Sequence, residues 1–209
     1  MDTSEANRQK VAIITGSSSG IGYATSLMLA RNGFYTYASA RNINKSASLQ
    51  STADAERLPL KLIQLDVADD SSVKGAVEKI VTEKGRIDVL VNNAGYGLFG
   101  AFEDLSVDEI KAQFETNFFG VVRVTQHVIP IMRNGIGGGI IVNVSSVNGH
   151  VPFPVISAYV ATKFALEGLS GFMKGSVMSN RALDPKSAYF EFVWRVRSKI
   201  SSCIHTRLL

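Results

Sequence analysis

The sequence predicts an α/β fold, a doubly wound parallel sheet with helices on both faces in three layers α/β/α. Three observations predict it. Short apolar runs alternate with amphipathic stretches of helical length from Lys10 to about Phe172. The first apolar run ends in a glycine cluster that opens a helix. No internal repeat or low-complexity segment interrupts the alternation, which suits right-handed strand–helix–strand units. With 209 residues, 45% hydrophobic and 19% charged, the chain has the size and composition of one globular domain with a substantial core.

In chain order, Lys10–Thr15 contains the apolar run VAII and reads as a buried strand. Ile21–Asn32 reads as a helix stopped by Gly33. Phe34–Ser39 is a second strand, and Leu60–Leu65 a third that ends at Asp66. Ser71–Lys84 is a helix ended by Gly85, followed by a fourth strand, Ile87–Val91. Ser106–Arg133 is a long helical region, opened by a capping box of Ser106 with Glu109 three residues on. Ile140–Val144 is the fifth strand, and Ser157–Lys174 the next helix. Residues 1–174 are thus expected to form a nucleotide-binding domain, and 175–209 a tail of another character.

The segment Thr15–Gly22 reads TGSSSGIG, with glycines at 16, 20 and 22. It follows a strand and opens a helix, the context a dinucleotide loop requires. Gly16 permits the tight turn, while Gly20 and Gly22 let the backbone approach a pyrophosphate and the helix approach the sheet. The loop residues Gly16, Ser18, Ser19, Gly20, Ile21 and Gly22 are therefore expected at the cofactor, with free helix-start amides facing the anion. The end of the second strand selects the cofactor. A carboxylate there would bind a ribose 2′-hydroxyl, but the chain reads YASAR, with Ala40 followed by Arg41. Arg41 can grip a 2′-phosphate bidentately, which favours NADP(H) over NAD(H). A solvated arginine at a strand end is the other reading of that residue.

A second candidate site lies in Ser146–Lys163, SVNGHVPFPVISAYVATK. Tyr159 and Lys163 stand at i and i+4, so in a helix they share one face. A phenol is a poor base at neutral pH. A nearby ammonium favours the phenolate and lets the pair move a proton near pH 7. A serine hydroxyl thirteen residues before Tyr159 can hold the reacting oxygen. The spacing by itself equally fits two exposed helix residues.

Composition excludes several classes. Net charge is +4, yet residues 1–180 hold 16 basic and 16 acidic residues, so the excess lies in 181–209, with six basic against two acidic. No basic surface across the body points to nucleic acid. No apolar run is long enough to span a bilayer, and the N-terminal segment has no signal-peptide core. One cysteine, Cys203, suits a reducing compartment. A soluble, cytoplasmic protein is expected. His127, His150 and His205 are scattered, and no metal-ligand cluster is visible.

Taken together, Thr15–Gly22, Asp66–Val67 after the third strand, Asn92-Asn93-Ala94-Gly95 after the fourth, Asn117, Ser146, Tyr159 and Lys163 resemble the classical short-chain dehydrogenase/reductases. The segments NAGYGLFGAFEDLS and YVATKFALEGLS look most like the retinoid- and hydroxysteroid-type members. The resemblance implies a Rossmann-like fold and an oxidoreductase that interconverts an alcohol and a carbonyl on a small lipophilic substrate. It implies Tyr159 as general acid and base, and Lys163 as the group that lowers its pKa and binds the nicotinamide ribose. Ser146 would orient the substrate oxygen. Asn117 would hold a water linking Lys163 to solvent. Asn92, Ala94 and Gly95 would line the cofactor by backbone contact, with Asn93 also at the cofactor, and Asp66 with Val67 would meet the adenine. Homo-oligomers would form through the helices 106–133 and 157–174.

The pattern departs after about Gly171. The family adds a sixth strand ending in a Pro-Gly turn and usually a seventh, but this chain has no Pro-Gly dipeptide. No apolar β-branched run stands out between Phe172 and Ala188, so the last one or two strands are expected to be missing. Tyr189, Val193, Val196 and Ile200 share a helical stripe, although 189–200 also passes for a strand. The tail then fits a helix near the substrate, a basic amphipathic segment touching a membrane or partner, or a shortened chain that keeps the cofactor half. Two function classes follow: an NADP(H)-dependent oxidoreductase, or a nucleotide-binding or interaction protein of the same fold with little or no turnover.

Overall fold

The computed structural model of the chain describes residues 9–135, 138–179 and 189–192. Strands β1 (Val11–Ile14), β2 (Tyr35–Ala40), β3 (Leu60–Gln64), β4 (Val89–Asn92), β5 (Ile140–Val144) and β6 (Tyr189–Phe192) form one sheet in the order β3-β2-β1-β4-β5-β6. Every pairing is parallel, with Ala12 opposite both Thr36 and Val89. Helices α1 (Gly20–Arg31), α2 (Ala47–Ala55), α3 (Asp70–Lys84), α4 (Val107–Phe114), α5 (Gly120–Asn134) and α6 (Ser157–Ser179) connect them.

The alternation of side chains along a strand builds two cores. Val11 and Ile13 on β1 point to one face, where Leu90, Ile141, Val77, Ile80, Val124 and Val128 pack. Ala12 and Ile14 point to the other, against Leu29, Phe34, Val89 and Val91. Because parallel strands are covered on both faces, β1 and β4 are buried at every position. Truncating a fully buried residue such as Leu90 or Ile13 to alanine would cost about 2–5 kcal/mol.

Four features depart from the sequence reading, each for a physical reason. First, α2 stands where no element was expected. Its sequence ASLQSTADA buries only Leu49 and Ala53, one helical turn apart, so the apolar signal is two residues long. Second, the region read as one helix from Ser106 is broken. The capping box at Ser106 and Glu109 forms, but a π turn, Glu115–Phe119, separates α4 from α5. Third, α6 runs to Ser179, beyond the expected end at Lys174. Fourth, the sixth position of the sheet is filled by Tyr189–Phe192, with Val142 opposite Phe190. That strand is short and aromatic rather than β-branched, and main-chain pairing along β5 places it. The stripe positions Val193, Val196 and Ile200, and any seventh strand or turn after β6, lie outside the described residues. Among the described residues no helix is long and apolar enough to cross a membrane.

Candidate active site at the sheet switch point

Between β1 and β4 the strand order reverses, so the connections leaving their carboxyl ends diverge and open a crevice. A cleft of about 1190 Å³ lies there. Among the sequence-predicted residues, Gly16, Ser18, Ser19, Gly20, Ile21, Arg41, Asp66, Val67, Asn93, Ala94, Gly95, Ser146, Tyr159 and Lys163 all line it. Gly22, Asn92 and Asn117 do not; they sit behind the wall.

The glycine loop is held from several sides. Ser19 is extended and α1 starts at Gly20, so the first helical bond is Tyr23 N–H to the Ser19 oxygen. The amides of Gly20 and Ile21 therefore have no acceptor within the helix and face the cleft. Gly16 has φ 68°, and a Cβ there would come 2.8 Å from Ala94 Cα. A Cβ at Gly22 would overlap the Gly16 carbonyl and the Asn93 amide. Gly22 thus lets α1 pack beneath the loop. Asn93 Nδ2 donates to the main-chain oxygens of Thr15 (2.9 Å) and Gly16 (3.0 Å). Thr15 Oγ1 accepts from the amides of Asn93 (2.9 Å) and Ala94 (3.0 Å).

Thr15 is the residue the sequence reading passed over. Its hydroxyl ties the loop after β1 to the loop after β4, and its only sequence signal is its place between strand and glycine loop. The Asn92 side chain turns its amide inward to Asn143 Oδ1 (2.9 Å) and Thr125 Oγ1 (3.0 Å), which leaves only its backbone for the contact expected of it. Asn143 continues to Ser170 Oγ at 2.9 Å, so a buried polar chain links β4, β5, α5 and α6. Arg41 is exposed at the end of β2 and, among the described residues, engages no carboxylate. Asp66 Oδ1 accepts from the Ala68 amide at 3.0 Å, which shapes the loop after β3.

On the other side of the cleft, α6 presents Tyr159 and Lys163. Lys163 is buried, its Nζ donates to the Val144 oxygen at 2.9 Å, and it lies 5.6 Å from the Tyr159 ring centroid. Burial pushes its ammonium down to about 8, with the nearby Glu167 charge opposing the shift. Ser146 caps the short turn Val147–Gly149, its Oγ accepting from the Asn148 amide at 3.2 Å. Asn117, in the π turn, accepts from Tyr96 N–H (3.0 Å) and donates to the Tyr96 oxygen (2.8 Å) and to Thr162 Oγ1 (3.2 Å). Both amide hydrogens are thus spent inside the protein. The side chain anchors the loop after β4 to α6 rather than offering a donor to the cleft. Among the described residues no cluster of His, Cys, Asp and Glu suits a metal ion.

A family model for short chain dehydrogenases matches residues 10–179. The chain belongs to the short-chain dehydrogenase family. Similar family members include an uncharacterized oxidoreductase, YusZ, of Bacillus subtilis, 38% identical over 191 residues (89% of this chain, 67% of the relative). A 3-ketodihydrosphingosine reductase of Bacteroides thetaiotaomicron is 40% identical over 161 residues (77% and 56%). The human 17-beta-hydroxysteroid dehydrogenase type 1 is 40% identical over 165 residues (76% and 49%). The chain therefore spans about half to two thirds of the length of these relatives. A short-chain dehydrogenase from Streptomyces avermitilis superposes with a TM-score of 0.80 at 33% identity, covering 93% of this chain and 68% of that one. A metagenomic short-chain oxidoreductase in complex with NADP gives 0.79 at 26% identity (89% and 81%). A Burkholderia phymatum enzyme in complex with NAD gives 0.81 at 26% (89% and 65%). Structures of short-chain dehydrogenases similar to this chain thus hold either cofactor.

Proposed function

We propose that the chain binds NADP(H) in the cleft and interconverts an alcohol and a carbonyl on a small lipophilic substrate. One observation carries this reading. Tyr159 and Lys163, on α6, line the same cleft as the free helix-start amides of Gly20 and Ile21.

The residues present fit a dinucleotide. The cradle at Gly16 and Gly22 leaves no room for a Cβ, and the amides of α1 face the place of the pyrophosphate. Arg41, exposed and lining the cleft after β2, supports a 2′-phosphate partner and so NADP(H). Asp66, Val67, Asn93, Ala94 and Gly95 would line the rest. The nicotinamide, when bound, supplies or accepts the hydride.

The chain's own groups move the proton. In reduction, the Tyr159 hydroxyl gives its proton to the carbonyl oxygen; in oxidation, the phenolate takes it from the alcohol. Lys163 favours the phenolate by its charge, and the Ser146 hydroxyl holds the substrate oxygen. Asn117 would hold a water linking Lys163 to solvent, while its side chain anchors Tyr96 and Thr162. A lipophilic substrate suits the exposed Phe99 and Val147 that line the cleft, and the keto and hydroxysteroid chemistry in the relatives' names. Homo-oligomers through 106–133 and 157–174 suit the exposed Phe119, Phe164 and Phe172. Light scattering that reads a single-chain mass would exclude that assembly. The single cysteine suits a cytoplasmic setting.

Substituting Tyr159→Phe keeps the ring and removes the proton. Turnover of a carbonyl panel should fall by about 10²–10⁴-fold, with NADPH affinity kept within a few-fold by fluorescence titration. Turnover near the parent's would overturn the mechanism. NADPH binding by the parent with no turnover of any carbonyl would favour a nucleotide-binding role without catalysis.

A further inference from the structure

Glu167 lies on α6 one turn beyond Lys163 and two beyond Tyr159, with 9% of its side chain exposed. A buried carboxylate costs several kcal/mol in desolvation and persists where its surroundings answer the charge. It does not line the cleft, so the proton-transfer machinery leaves it unexplained. Its stem rests against Gly149: a Cβ there would come 2.7 Å from Glu167 Cγ and 3.1 Å from Oε1. Gly149 closes the short turn that Ser146 caps. The next residue, His150, brings Nε2 to 3.5 Å from Glu167 Oε1 from the solvent side. On the inner side, the Glu167 charge favours the ammonium of Lys163. Lys163 from its own helix and His150 from the turn are thus titratable groups on either side of it.

We propose that Glu167 is a positioning residue, which clamps the Ser146-bearing turn onto the helix that carries Tyr159 and Lys163. Without the clamp, the Ser146 turn would be held to the helix through the Lys163–Val144 bond before it and the 150–156 loop after it, with nothing fixing Gly149 itself. With it, the two hydroxyls that must meet one substrate oxygen ride on one rigid unit. The carboxylate's charge also acts on Lys163 one turn away, so one side chain serves both the geometry and the charge of the pair. The inference rests on the proton-transfer reading above.

Glu167→Gln keeps the shape and removes the charge; Glu167→Asp keeps the charge and shortens the reach to Gly149. For Glu167→Gln, the alkaline limb of kcat/KM against pH should move to lower pH, because Lys163 loses its proton more readily without the neighbouring carboxylate. For Glu167→Asp, that limb should stay in place while kcat falls about tenfold, with KM for NADPH within threefold. A second readout needs no turnover: the pH dependence of Lys163 acetylation by limiting acetic anhydride, read by peptide mass spectrometry. Its midpoint should fall in Glu167→Gln and hold in Glu167→Asp. Parental pH profile and parental labelling in Glu167→Gln overturn the inference, as does a parental kcat in Glu167→Asp, which also carries the test if Glu167→Gln does not fold. If the parent shows no turnover but the labelling midpoint shifts as expected, the placement of Glu167 stands and the catalytic reading fails.

Discussion

Lys163 Nζ donates to the Val144 main-chain oxygen at 2.9 Å, which ties the middle of α6 to the last residue of β5. The bond places a cation inside the protein, one turn from Tyr159. Burial holds its pKa at about 8, so at pH 7 the ammonium still dominates. Above that value the ammonium, and with it the positive charge beside the Tyr159 ring, is lost.

This gives a stability signature with a definite sign. The folded value, about 8, lies below the ordinary 10.5. Between the two, the unfolded chain holds more protons, so this lysine's contribution to stability rises with pH across that window and its cost is full below it. The depression is on the order of 3 kcal/mol, and the Val144 oxygen left without its donor in a methionine variant takes back about 1. Lys163→Met should therefore stabilise the fold at pH 7 by roughly 2 kcal/mol while removing turnover. Urea unfolding at pH 7 and pH 10 should show the gain shrinking at the higher pH. A gain that grows with pH, or a loss at pH 7, would contradict it.

Arg41 stands at the end of β2 without a carboxylate to hold it among the described residues. Replacing it with aspartate puts a negative charge where a 2′-phosphate would sit and offers an acceptor to a 2′-hydroxyl. NADPH affinity should fall at least about tenfold, 1.4 kcal/mol, and NADH affinity should rise. An unchanged ratio of the two dissociation constants in a calorimetric titration would refute the assignment.

Gly22 lies inside α1, where alanine normally stabilises a helix. Here the added methyl would overlap the Gly16 carbonyl and the Asn93 amide. Overpacking costs about 1–3 kcal/mol, so Gly22→Ala should lower the thermal midpoint and weaken NADPH binding together. A midpoint at or above the parent's would show that the loop yields without cost.

Asn117 is engaged with Thr162, the neighbour of Lys163, at 3.2 Å. Thr162→Val removes that acceptor, leaving a buried amide hydrogen without its partner at a cost of about 1–3 kcal/mol. Chemical denaturation should register that loss. Stability equal to the parent's would show that the contact between the π turn and α6 contributes nothing.

Much of this architecture was legible because its signals are local. The glycine loop, the capping box of Ser106 and Glu109, and five of the strands each declare themselves within a few residues, through backbone sterics, end capping and uninterrupted apolar runs. What escaped was set by partners far along the chain. Helix α2 buries two residues, too few for a periodic signal. The π turn around Asn117 follows from the bonds its amide makes to Tyr96, 21 residues away, and Thr162, 45 residues away. Strand β6 has no β-branched residue and is placed by pairing with β5.

The sequence by itself determined the fold class, the glycine loop between β1 and α1 and the Tyr159–Lys163 spacing on one helix face, because these depend on short spacings and helix or strand periodicity. Only the tertiary structure decided which of them share one cleft. The reversal of strand order between β1 and β4 brings loops from five strand ends to a single edge. The same packing turns Asn92 inward, spends the Asn117 side chain on anchoring, and presses Glu167 against the turn of Ser146. Those assignments depend on distance between segments, which no local pattern encodes.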